Sequence, residues 1–285
     1  MNHIKEFVMK YVFMIAALFT IVAVLLICVF LFANGLPVMK EIGFDQFLAG
    51  TRWFPNNVPA EFGILPMIMG SISVTAGAIV IGVPVGILTA VYLSHYCPAV
   101  IYRYIKPAVE LLAGIPSIVY GFFGMIVLVP FVREFFGGNG KSVLTASILL
   151  GIMILPTIIG VSEAALRAVP DQYYEGALAL GATHERSIFF TVLPAAKSGI
   201  AAAVVLGVGR AIGETMAVIM VAGNQPRMPG GVLEGVRTMT ANIVIEMGYA
   251  AGQHRQALIA TGVVLFVFIL IINLTFNIVK RRSDI

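Results

Sequence analysis

Six long apolar runs dominate the chain, over about residues 11–33, 64–93, 107–132, 143–166, 195–222 and 257–279. Each exceeds the roughly 20 apolar residues that cross a bilayer as a helix. The pattern predicts six transmembrane helices. The first run lacks a small-residue cleavage site and is longer than the apolar stretch of a signal peptide, so it is read as a retained helix. Between the runs, Asn34–Phe62 and Gly223–Gln256 are long polar loops, Ser94–Lys106 and Arg133–Lys141 are short ones, and Pro170–Pro194 has a pattern of its own.

Breakers and charges mark particular places inside the runs. The second carries Gly70, Ser71, Thr75, Gly77, Gly82 and Gly86, which favour close helix packing, with Pro84 as an expected kink. The third holds Gly114-Ile-Pro-Ser-Ile-Val-Tyr-Gly121, either a broken helix beside a transport path or a proline kink that shapes packing. Irregular backbone at membrane depth needs protein or a wet cavity around it. The fourth contains Pro156. The fifth contains Arg210 and Glu214, which an unbroken helix would place on one face as an i,i+4 pair. An ionised side chain at mid-membrane costs roughly 2.5–3.5 kcal/mol on insertion scales, so such residues face the bundle interior or water. Two readings stay open: a buried ion pair that locks packing, or a charged constriction on an anion path, with Glu214 neutralising Arg210 at rest. The arginine fork suits tetrahedral oxyanions because it donates two parallel hydrogen bonds. Arg210, Glu214 and Thr215 are the candidate path residues.

Composition fixes the class. Of 285 residues, 59% are apolar and 11% charged, against about 25% charged in soluble domains. The fold class is all-α, a polytopic membrane protein in contact with lipid. The net charge of +4 comes from sparse loop Lys and Arg and gives no argument for nucleic acid. Six spans put both ends of the chain on one side. The loops on that side hold ten Lys and Arg against seven on the other, with Arg210 inside a span. This bias predicts cytoplasmic termini and a cytoplasmic Pro170–Pro194.

That polar stretch reads as a helical hairpin. Pro170 suits a helix start, and Tyr173, Ala177 and Leu180 fall on one face. Gly181 is a left-handed stop, Thr183 caps a second short helix with Glu185 in its first turn, and Pro194 closes the stretch. Gly176 and Ala177 keep the first helix thin. A hairpin this small needs a surface to dock on; an ordinary amphipathic loop is the other reading.

Other chemistry is sparse. The sequence has no G-x-x-x-x-G-K-[ST] phosphate loop and no H-E-x-x-H or cysteine cluster for a metal. Cys28 and Cys97 are separate thiols. His3, His95, His184 and His254 are scattered; His184 is expected to be a solvated loop residue, with a partner in the hairpin as the alternative. Glu110 and Glu163 are expected to be helix-end or pairing groups. Trp53 and Phe54 are expected interface anchors. In the second long loop, Asn224, Gln225, Arg227 and the stretch Arg237-Thr238-Met-Thr-Ala-Asn242 are candidates to receive an anion; plain solvated residues are the alternative.

Glu175-x-Ala177, Gly181 and Leu193-Pro194 resemble the EAA loop of bacterial ABC importer permeases, with Gly176 and Thr191 replacing an Ala and an Ile of that pattern. Arg210-Ala-Ile-Gly-Glu214-Thr-Met-Ala217, Gly114-Ile-Pro-Ser-x-x-Tyr-Gly121 and the Gly43-Phe-x-x-Phe47, Trp53, Pro55 loop resemble the permeases of phosphate-specific ABC importers, the PstC type more than its PstA sister. The resemblance covers nearly the whole chain. It implies a type I ABC importer permease fold in the bacterial inner membrane, importing inorganic phosphate. It also implies a PstA-like partner permease, a PstB-like ATPase dimer that carries ATP and Mg, and a PstS-like periplasmic phosphate-binding protein. Tyr174, Glu175, Ala177 and Gly181 would form the coupling helix on the ATPase. No cofactor or metal is expected on this chain. Permeases for sulfate, molybdate or phosphonate, and a secondary anion transporter, are the alternatives; the latter would usually show an inverted repeat, and none is seen.

Overall fold

The computed structural model describes residues 2–283 and is almost wholly helical. Helix α1 (Asn2–Ile42) ends at Gly43, whose φ of 97° turns the chain into α2 (Phe44–Ala49). Strands β1 (Trp53–Phe54) and β2 (Glu61–Phe62) pair antiparallel within the first long loop. Helix α3 (Leu65–Val91) runs through Pro84 and ends in a π-turn, Tyr92–Tyr96. Helix α4 (Ala99–Gly114) stops at an extended Ile115–Pro116 break, and α5 (Ser117–Phe123) continues through a π-turn into α6 (Val129–Phe136). Helix α7 (Val143–Arg167) is capped by the Ser142 hydroxyl on the Thr145 N–H. The hairpin follows as α8 (Asp171–Ala179), α9 (His184–Ser187), a π-turn and α10 (Leu193–Ala195). Then come α11 (Lys197–Gly213), α12 (Met216–Val221), α13 (Met239–Met247) and α14 (Gly252–Ser283).

Among the described residues, five helices are long and apolar enough to cross a membrane; a sixth span arises if His184–Ala195 and Lys197–Gly213, bent by 69°, are counted as one. Two expected runs are redrawn. The third span is Ser117–Phe136, not 107–132. Residues 107–114 belong to α4, which buries none of its residues, because Pro116 removes an N–H and forces Ile115 out of helical geometry. The fifth run, 195–222, breaks at Glu214–Thr215, where Glu214 is extended (ψ 130°).

Helices α3 and α7 form the centre. Without a hydrophobic drive between helices in lipid, close backbone approach supplies the packing energy. The small residues of α3 permit it: a Cβ on Gly77 would fall 2.2 Å from Ser147 Oγ, and one on Gly86 2.7 Å from Ile158 Cγ2. Ser147 Oγ donates to the Val74 carbonyl at 3.2 Å. Leu149, Leu150, Met153, Ile154 and Ile158 of α7 fill the core between α3, α5 and α12. A second core, at the end of the bundle away from the hairpin, joins Phe47, Trp53, Ile64, Met67, Met239 and Leu258. Helix α1 packs along α14, with Phe32 edge-on to Phe266. Its remaining faces, including Phe13, Phe19 and Leu25, are exposed and apolar.

Candidate translocation site

Two helix breaks meet beside α7. Helices α5 and α12 begin directly after the Ile115–Pro116 and Glu214–Thr215 breaks and pack together so tightly that a Cβ on Gly121 would lie 2.7 Å from Met220 Sδ and 3.0 Å from Ala217 Cα. The Tyr120 hydroxyl donates to the Leu112 carbonyl at 2.8 Å, spanning the first break. Arg210, in the last turn of α11, donates from Nη1 to Thr157 Oγ1 at 3.3 Å, one residue past Pro156 of α7. This is the one hydrogen bond of Arg210 among the described residues, so most of the five N–H donors of the guanidinium stay available. A Cβ added at Gly209, Gly213 or Gly160 would meet nothing within 4 Å, so the backbone at these positions is open, and Arg210 is half-buried.

The expected Arg210–Glu214 pair does not form. Gly213 ends α11, so Glu214 is not one helical turn further along the same face. Its Oε1 accepts the Ala217 N–H at 3.1 Å, capping α12. The Thr215 hydroxyl donates to the Gly213 carbonyl at 3.2 Å. The result is a lone guanidinium, a carboxylate turned to a backbone N–H, and hydroxyls from Thr157 and Thr215 around two broken helices. Such a set favours a negatively charged, hydrogen-bond-accepting solute.

The second long loop is built otherwise than expected. Arg237 is not a free anion receiver: it donates from Nη1 to Glu246 Oε1 and Asn242 Oδ1 and from Nε to the Asn224 carbonyl. Glu246 also accepts from Trp53 Nε1 at 2.9 Å and lies 2.8 Å from His254 Nε2. Trp53 is therefore a buried member of this cluster, not an interface anchor; Phe54 is exposed. The Thr238 hydroxyl caps α13 by accepting from the Ala241 N–H. Asn224, at φ 54°, donates its amide to the Ile219 carbonyl. Desolvation explains the reassignment: a half-loop arginine that finds a buried carboxylate is held by it.

At the opposite end, the hairpin docks on its own chain. Gly181, at φ 86°, donates to the Leu178 carbonyl and Ala182 to the Ala177 carbonyl, the Schellman pattern. Ile188 and Val192 bury against Ala90, Val91 and Leu166. His184 is not a free loop residue: its Nδ1 is 2.7 Å from the Tyr174 hydroxyl, and its ring meets Tyr96 edge-on. Tyr174 and His184 line a cavity of 410 Å³ with His95, Arg167 and Asp171. Glu175 and Gly181 are exposed and Ala177 half-buried, beside outward-facing Tyr173, Leu178, Leu180 and Phe190. Nearby, buried Glu163 gathers Tyr102 and Lys106 of α4 and Arg167 of α7. The hydrogen bond to Glu163, then burial, raises the Tyr102 pKa. Burial opposes the Lys106 charge, but the bond and attraction to Glu163 outweigh it and its pKa rises. Glu110 makes an exposed contact with Lys106 at 3.8 Å.

Sequence reasoning missed Thr157 and Glu246, and singled out Tyr120 and Thr240 only as members of their motifs, without their partners. A hydroxyl beside a mid-span proline, and a lone carboxylate in the apolar segment Ile243-Val-Ile-Glu246, were the available signals.

Spans, breaks and docked hairpin define the membrane-spanning permease subunit of an ABC importer. The chain belongs to the family described as binding-protein-dependent transport system inner membrane component, whose model matches residues 82–285. It is similar to a probable ABC transporter permease protein, YqgH, of Bacillus subtilis, at 39% identity over 90% of this chain and 86% of that one. It is also similar to the phosphate transport system permease protein PstC of Mesorhizobium japonicum, at 36% identity over 94% of this chain and 88% of that one. A chain of a bacterial alginate ABC transporter, solved with an alginate-bound periplasmic protein, matches its fold at TM-score 0.67 and 18% identity, covering 98% and 96%. A chain of the MetNI methionine ABC transporter matches at TM-score 0.58 and 21% identity, covering 78% and 94%.

Proposed function

We propose that this chain is a PstC-type subunit that translocates inorganic phosphate into the cytoplasm. The observation that carries the reading is Arg210: a guanidinium in the last turn before a helix break, held by one hydroxyl and in no ion pair among the described residues. The permease relatives whose names specify phosphate support it. A PstA-like permease would complete the path, a PstS-like periplasmic protein would deliver the anion, and a PstB-like ATPase dimer, holding ATP and Mg, would drive the cycle. This chain would bind no cofactor and hydrolyse nothing. The hairpin, with both termini, would face the cytoplasm and present Tyr174, Glu175, Ala177 and Gly181 to the ATPase. The lysine and arginine bias supports that orientation.

Uptake of radiolabelled phosphate by cells lacking this chain, with sulfate as competitor, tests the reading. Wild type should restore sulfate-insensitive uptake, while Arg210→Ala and Glu175→Lys should lose it at normal membrane levels. No phosphate uptake by wild type with its partner subunits present would remove the phosphate assignment.

A further inference from the structure

The loop after α12 does not stay at the end of the bundle. Helix α13 turns back against α3, α12 and α14. On its first turn, Thr240 donates its hydroxyl to the Glu214 carbonyl at 3.1 Å. That carbonyl would be taken by the N–H of residue 218 in an unbroken helix; at the break it depends on another donor. Thr240 is 7% exposed, so its hydroxyl is held inside the protein at the break. Its helix is held at both ends. The Met239 N–H donates to Ser71 Oγ of α3 at 3.0 Å, and Glu246 in the last turn is held by Trp53, Arg237 and His254. The Glu214–Thr215 peptide thus takes its orientation from a residue 26 positions later.

We propose that Thr240 is a positioning residue of the translocation path. By fixing the Glu214–Thr215 peptide, it sets where the Glu214 carboxylate and Thr215 hydroxyl lie relative to Arg210; this rests on reading Arg210 to Thr215 as the path. It contacts Glu214 only through the backbone, so its effect reaches the solute through its neighbour.

Transport by the reconstituted assembly, supplied with phosphate-loaded binding protein, gives the first test. Thr240→Val keeps the shape and removes the donor. The maximal rate should fall roughly three- to tenfold, the range one lost hydrogen bond explains, with KM for the loaded binding protein unchanged. Thr240→Ser should restore the rate. In a Glu214→Gln background Thr240→Val should add a smaller loss, the part carried by Thr215; an equal loss in both backgrounds, or none in either, overturns the proposal. The second test needs no phosphate. In a Cys28→Ser, Cys97→Ser chain carrying Gly213→Cys, labelling by a membrane-impermeant thiol reagent should change several-fold with Thr240→Val and not with Thr240→Ser. Thr240→Ala serves as the donor-less variant if valine prevents accumulation. Unchanged labelling overturns the positioning role. Changed labelling in an assembly that moves no phosphate upholds it and removes the phosphate reading instead.

Discussion

Arg210 of α11 donates to Thr157 of α7 across 3.3 Å, while Glu214, four positions on, turns to the Ala217 N–H. The guanidinium is aimed by a neutral hydroxyl and makes no ion pair among the described residues. Lysine at 210 would keep the charge but lose the planar fork. Arg210→Lys is expected to lower initial phosphate uptake by about tenfold or more, equivalent to about 1.4 kcal/mol, and Thr157→Val by roughly tenfold through loss of one hydrogen bond to a charged group. Wild-type uptake by Arg210→Lys would sink the forked-recognition role.

Glu246 holds three groups from three segments: Trp53, Arg237 and His254. Arg237 and Glu246 side chains are only 13% and 7% exposed. Removing the acid would strand a buried cation, a loss of about 3–5 kcal/mol. Glu246→Ala should lower the thermal unfolding midpoint of the solubilised protein by several degrees and speed proteolysis within 223–238. An unchanged midpoint would show that the cluster contributes no stability.

Gly121 and Gly176 should respond oppositely to added side chains. Gly121→Val would drive carbon into Met220 and Ala217, and overpacking of this kind costs about 1–3 kcal/mol. Gly176 lies within α8 with nothing within 4 Å of an added Cβ, so Gly176→Ala should gain up to about 1 kcal/mol of helix propensity. Side-by-side thermal unfolding in detergent checks both signs; a destabilised Gly176→Ala would mean that its neighbourhood is more crowded than the fold shows.

Glu175 is exposed on α8 and makes no ion pair among the described residues. Reversing its charge should leave insertion and melting unchanged yet abolish ATP hydrolysis stimulated by loaded binding protein in the assembled transporter. Full stimulation with Glu175→Lys would detach this residue from coupling.

The sequence by itself determined the class and much of the hairpin. Hydrophobic runs report membrane burial directly, because each span must satisfy its own backbone within one helix. Gly181 and Thr183 report local geometry that needs no distant partner: one ends α8 at positive φ, the other caps α9 on the Arg186 N–H. Where the answer depended on a second segment, the sequence pointed to the right residues and the wrong partners. Arg210 and Glu214 are one helical turn apart only if the helix continues, and at the break Glu214 meets Ala217 in the chain's next turn and Thr240 from α13. Trp53 and His184 read as lipid- or solvent-facing because Glu246 and Tyr96, which they meet, lie far along the chain; Arg237 meets Glu246 only nine positions on, and His184 meets Tyr174 ten positions back, at spacings that no single helix face or strand would bring together. A hydrogen bond between distant segments leaves no period and no spacing in the sequence; it exists only once packing has removed water from both groups.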